Sequence, residues 1–336
     1  MKKVPIFIFI IAVFVSACKK EKQQKTDLYL VGQQSISDDE TIAIYVKNGK
    51  ITALGTPAYI SSANCIVVKN NDVYIGGNTR RVLGEKSIAK YWKNGTEISL
   101  TSGTFNSRVS SIDVDENNNI YCAGFEYNSS NKMVAKYWKN GIAVNLTNGT
   151  YDAEINSIKI YNNDIYCAGY EKNSDNKIIA KYWKNGIASD LTTAQNSANA
   201  MSIFLYDNDV YVAGYAPYGG RTSAAIWKNG IVTFLSNGIN TEAAIELFIK
   251  DNVVYVSGVA LVGGSTEIKI WKNNIATVLS NNEDTDDPSI FVSKNNDVYV
   301  TGYSGVPAKY WKNNVITDAT EDTINYTKIN DIFIVE

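Results

Sequence analysis

Histidine is absent from the 336 residues, so chemistry falls to 34 Asp or Glu, 32 Lys or Arg, 22 Tyr and 4 Cys. Without imidazole there is no Ser-His-Asp or Cys-His arrangement, no His-bound metal, and no side chain that ordinarily titrates near neutrality. Acids gather in three stretches: Asp38 to Glu40, Glu283 to Asp287, and Glu321-Asp322. Several carboxylates together suit a hard cation such as Ca²⁺, but this spacing matches no standard calcium loop. Two carboxylates also suffice to cleave a glycosidic bond, yet no motif singles out a pair. Arginine occurs only at Arg80, Arg81, Arg108 and Arg221, and its planar fork suits carboxylates and phosphates. Aromatic rings recur five residues past a Leu at Tyr59, Phe105 and Tyr151, a set suited to stacking on sugar faces or a peptide. The chemistry on offer is therefore binding. The candidate residues are Tyr59, Phe105, Tyr151, Arg80, Arg81 and Arg108, with no catalytic residue, metal or cofactor expected. A net charge of −2 and a pI near 5.5 argue against nucleic acid, which selects a basic surface.

The elements that must carry these residues are a repeat. The six Trp stand at 92, 138, 183, 227, 271 and 311, and each begins W-K-N-G or W-K-N-N. Val46 takes the Trp place in a further copy, 46 residues before Trp92. A period of 40–46 residues marks a propeller or an array. Around Trp183, residues 157–161, 165–170, 178–183 and 187–191 read as four short strands, here called a to d. Asn185-Gly186 between the last two is a hairpin signal, because a type I′ turn needs positive φ at both central residues. All seven units carry a strand b Tyr (29, 74, 121, 166, 211, 255, 299) followed three residues later by Gly. Sevenfold identity points to packing: Tyr and Trp between blades, and Gly at a bulge or close backbone approach. The chain enters on a strand b at Asp27 and leaves on a strand a at Asp331–Val335, so the two ends complete one blade. The expected fold is all-β, a seven-bladed β-propeller over 27–336 with four antiparallel strands per blade, closed by the C-terminal strand.

Runs such as Ala180-Lys-Tyr-Trp-Lys-Asn-Gly-Ile-Ala-Ser-Asp-Leu191 resemble the HAF-type repeat of extracellular bacterial proteins, A-x-x-W-x-N-G-x-x-x-x-L. The resemblance covers the seven units but lacks the LGTLGG segment that usually follows. It implies a propeller and export, and assigns no catalytic residue. The Trp-Asp dipeptide of WD repeats and the S-x-D-x-G-x-x-W box of sialidases are absent.

The start of the chain supplies an address. Met1-Lys2-Lys3, an apolar run from Val4 to Val15 and Ser16-Ala17-Cys18 make a secretory signal over 1–17. V-S-A-C at 15–18 resembles the lipobox of bacterial lipoproteins, which implies cleavage before Cys18 and acylation there. Residues 18–26 are then a lipidated Cys and polar tether, the mature charge is −4, and the protein is held at a bacterial envelope membrane. Cys122 and Cys167 share one repeat position. Neighbouring blades hold such positions about 10 Å apart, too far for a disulfide, which needs about 7 Å, so free thiols are expected. Asp113 and Lys159 also share a position and are expected to pair across the blade interface. On strand c, Lys90, Lys136, Lys181, Lys269 and Lys309 stand two residues before a Trp and are expected along its ring.

In this strand order the a–b and c–d turns share one uniform face. The b–c loops and d–a links share the other, variable face, where binding on rigid scaffolds concentrates. Three functions fit: a lipid-anchored, non-catalytic module binding a glycan, peptide or protein there; a structural envelope or adhesion component with no small ligand; and a carboxylate-dependent glycoside hydrolase or lyase.

Overall fold

In the computed structural model the described residues are 26–37, 39–56, 59–81, 84–193, 197–280, 287–322 and 324–336. They form twenty-eight strands and no helix, in seven four-stranded antiparallel sheets. The fold is the expected seven-bladed β-propeller. Blade 1 joins the chain ends: Thr327–Val335 pairs with Asp27–Ser35, followed outward by Thr41–Lys47 and Lys50–Ala53. Blades 2 to 7 follow in chain order. The signal segment, Cys18 and the tether as far as Lys25 lie outside the described residues, as do Asp38, Glu283, Asp284 and Asp286.

The c–d turns form as their sequence requires. Asn185 and Gly186 have φ of 50° and 83°, and the Asn-Asn pairs Asn273-Asn274 and Asn313-Asn314 also take positive φ. The first Asn does more than tolerate that conformation. In every blade its Oδ1 accepts the first or second strand b amide: Leu28, Val73, Ile120, Ile165, Val210, Val254 and Val298 donate at 2.8–2.9 Å. The Lys before each turn then lies over the strand b Tyr, with Nζ 4.8–5.4 Å from the ring centre in all seven blades. In five blades it also reaches an Asp at the start of strand b, at 2.7–3.0 Å.

The core consists of seven clusters, one at each blade interface. Tyr29 and Val31 of blade 1 pack with Trp92 of blade 2, Tyr74 with Trp138, Tyr121 with Trp183, and Tyr166 with Trp227. The series continues to Tyr255 with Trp311, and the ring closes with Tyr299 against Val46. Each repeated Tyr and Trp is thus interface packing, as expected. The strand b Gly allows a close approach: a Cβ on Gly169 would lie 2.0 Å from the Glu154 carbonyl oxygen, and five other blades repeat this within 1.9–2.1 Å. Opposite it, strand a carries a bulge, between Ile155 and Ser157 in blade 4.

That bulge explains one difference from the sequence reading. Strand a of blade 4 begins at Ala153, not at Ser157, because the extra residue Asn156 breaks the period-2 alternation that marks a strand. For the same reason strand a of blade 3 begins early, at Ser107, and Arg108 lies within it. Two further expectations are corrected. Asp113 and Lys159 form no ion pair: the Asp113 carboxylate accepts the backbone amides of Ile160 at 2.7 Å and Val114 at 3.0 Å. Of the strand c lysines, only Lys136 is found over its Trp. These lysines instead bridge carboxylates, as Lys181 does to Glu171 and Asp190 and Lys309 to Asp318. Cys65, Cys122 and Cys167 are free and buried, and burial pushes all three thiols up.

Candidate binding site on the variable face

Because successive strands alternate in direction, the b–c loops and d–a links share one face. There a hollow of about 730 Å³ lies over blade 4 and the link that leads into it. Tyr151 and Thr150 form one wall, the end of strand b at Glu171-Lys172 with Asn173 and Ser174 of the b–c loop a second, and Ile179, Lys181, Asp190 and Leu191 the floor. Lys181 holds the floor together by bridging Glu171 at 3.2 Å and Asp190 at 2.9 Å. Burial works against its charge, but hydrogen bonds to the two carboxylates outweigh it and hold its pKa above the usual value. Lys172 pairs with Asp152 at 3.2 Å on the neighbouring link. The hollow is in the size range of small-ligand sites. It offers one aromatic ring, apolar floor atoms and fixed charges of both signs.

The six candidate residues are spread around the face and do not converge. Tyr151, at 36 % exposure, presents its ring to the hollow. Tyr59 and Phe105, the equivalents in the two preceding links, are half-buried. No ring contact joins the three among the described residues. Arg108 is committed to Glu154 of the next blade, with Phe125 beneath its guanidinium at 5.4 Å and Ser110 donating to the same carboxylate at 3.1 Å. Arg80 ends strand b of blade 2, and Arg81 is exposed in the loop after it. Among the acids, Asp322 accepts Gln34 Nε2 at 2.8 Å and Asn325 Nδ2 at 3.0 Å.

A second polar site was not visible in the sequence. The axial channel opens on this face. One position on the seven strands a lines it: Cys65, Ser111, Ser157, Ser202, Glu246, Ser289 and Asp331. Most of these accept a backbone amide from the next blade, as Ser157 does from Ile203, Glu246 from Ile290 and Asp331 from Ile66. Ser289 donates to Asp331 at 2.7 Å. Desolvation pushes the Glu246 carboxyl up to about 7, and the negative charge of Asp331 adds to it. Asp331 is raised as well, again by burial. Below them Phe204, Phe248, Phe291 and Phe333 make an aromatic arc with ring centres 5.0–5.2 Å apart. Lys159 joins them in lining a cavity of about 110 Å³. Each acid stands two residues before one of these Phe, but so do Ser202 and Ser289, so the offset alone does not mark them.

The sequence matches no family profile and no curated protein. By shape the chain is similar to a puromycin-hydrolyzing peptidase of Mycobacterium tuberculosis, with TM-score 0.54, 9 % identity, and 87 % of this chain and 51 % of that one covered. An acylaminoacyl peptidase of Pyrococcus horikoshii gives 0.53 at 10 % identity, over 90 % and 52 %. The Hadza microbial sialidase Hz136 gives 0.51 at 8 %, over 80 % and 72 %. This chain spans about half the length of the two peptidases. At such identities the likeness establishes the fold alone.

Proposed function

We propose that this protein is a non-catalytic binding module of the bacterial cell envelope, held to a membrane through acylated Cys18, that takes a glycan, peptide or protein on its variable face. One observation carries the site: the hollow of about 730 Å³ beside Tyr151, on a face whose loops differ from blade to blade. A hollow of nearly equal size, about 720 Å³, lies between blades 7 and 1 beside the Asn48-Gly49 turn, but the turn there is one repeated in every blade. The lipobox-like V-S-A-C and the HAF-like units support export and anchoring. Both classes of ligand suit an aromatic wall with fixed charges beside it.

The test is capture of ligands by the mature protein on a glycan array and from envelope extracts. Tyr151→Ala and Lys172→Ala combined, both lining the hollow, are expected to abolish the specific signal; a double variant that retains every captured ligand overturns the site. Labelled palmitate should enter wild type and not Cys18→Ala.

The hydrolase reading has Glu246 and Asp331 in its favour, since both line one channel. Against it, their oxygens are engaged by backbone amides and Ser289, and the cavities there hold only about 110 and 180 Å³.

A further inference from the structure

The seven turns of the uniform face place one residue, the first of strand d, on a single circle at the outer rim. In blades 3 to 7 that residue is Ile142, Ile187, Ile231, Ile275 and Val315, each 65–75 % exposed. Five consecutive blades thus hold a β-branched apolar side chain in water at the same height. The hairpin does not require it, because blades 1 and 2 make the same turn with Lys50 and Thr96 there. Inside the rim, three residues earlier, stands the circle of turn lysines. Lys139 and Lys272 have no Asp at the start of strand b, where Asn119 and Val253 stand instead. The other five turn lysines are each paired to an Asp, so what this rim offers a bilayer interface is chiefly its apolar arc.

The route of the chain brings this face to a membrane. Strand b of blade 1 begins at Asp27, and Asp27 is tied into the blade 1 turn by Asn48 Nδ2 at 2.8 Å and Lys47 at 2.9 Å. The polypeptide therefore enters the ring on the uniform face. Eight residues, Lys19 to Thr26, lie between Cys18 and Asp27, so the two are at most about 30 Å apart when the chain is fully extended. Strand b itself has nine residues, so the blade is about 30 Å tall. Turning the variable face to the membrane would consume the whole tether along the blade side. The uniform face needs none of that reach.

We infer that the uniform face docks on the lipid surface that holds the anchor, with Ile142, Ile187, Ile231, Ile275 and Val315 dipping into the interface and the variable face pointing away from it. This rests on the anchor reading above. It gives the variable face its orientation: open to ligands at the greatest distance from the bilayer.

An environment-sensitive dye on a single introduced cysteine tests it in the full acylated protein. The probe membrane is a phosphatidylethanolamine–phosphatidylglycerol vesicle with brominated acyl chains. Cys65, Cys122 and Cys167 are buried with raised thiols and so poorly reactive. Dye at Ile187→Cys or Ile231→Cys should shift to the blue and be quenched. Dye at Ser174→Cys on the variable face should stay unshifted and unquenched. Equal, water-like emission at all three sites in vesicle-bound protein overturns the docking and leaves the anchor standing. Wild type that takes up no palmitate overturns the anchor, and the docking with it.

Discussion

At the scale of single residues, the turn Asn shows how one side chain serves two needs. Left-handed φ alone would be met better by Gly, and the hairpin motif was read from the sequence on that ground. The structure adds the hydrogen bond to strand b, which only a side-chain carbonyl can make there. The two roles separate in one variant. Asn140→Gly keeps the φ of 50° but loses the bond from Ile120 N and the bond to Asn119 Oδ1, both 2.8 Å. It is expected to lower stability by about 1 kcal/mol in a denaturant titration, where a purely conformational role predicts no loss. Glu246 and Asp331 were illegible for a different reason. Each is a single departure from Ser at a repeat position, and nothing local marks a position as facing an axis until all seven strands are assembled.

Among the elements, strands b, c and d were legible because Tyr, Gly, Trp and Asn-Gly punctuate them at fixed offsets. Strand a was legible only in its second half. Its first half lies beyond the bulge, where Ala153, Glu154 and Ile155 are buried in succession and no alternation survives. The same bulge fixes the role of the strand b Gly. Gly169→Ala must displace the Glu154 carbonyl from 2.0 Å, backbone that cannot yield like a side-chain tip. The expected cost is about 3 kcal/mol, read as a drop in denaturation midpoint. An alanine tolerated at Gly169 would remove the close-approach reading. Tyr59 and Phe105 belong to this scale too: identical spacing after strand d sets their place in the link, but not how far each ring tips onto the next blade.

For the whole molecule, the ring concentrates two opposing pH dependences. Asp72, Asp164, Asp209 and Asp297 are held below their ordinary 3.8, chiefly by hydrogen bonds from the turn Lys and Asn. Their contribution is present above that value and lost on acidification. Glu246 runs the other way. Its ordinary value is 4.5 and the folded value about 7, so the folded chain keeps a proton that the unfolded chain releases in between. That contribution is complete below 4.5 and lost as pH rises to about 7. Thermal stability should therefore peak on the acid side of neutrality and decline from about pH 5 to about pH 8. Glu246→Gln should flatten the decline, and equal slopes in both proteins would show that the channel carboxyl does not titrate there. Blade count and closure were legible at this scale, since an opening strand b and a closing strand a announce one shared blade. That shared blade also has a mechanical meaning. The strand from Asp27 is flanked by a ladder on each side, to Thr327–Val335 and to Thr41–Lys47. A pull on the chain at Asp27 runs along the strand axis. It loads both ladders in shear at once, so the hydrogen bonds share the force together and are not peeled open one after another from a free edge.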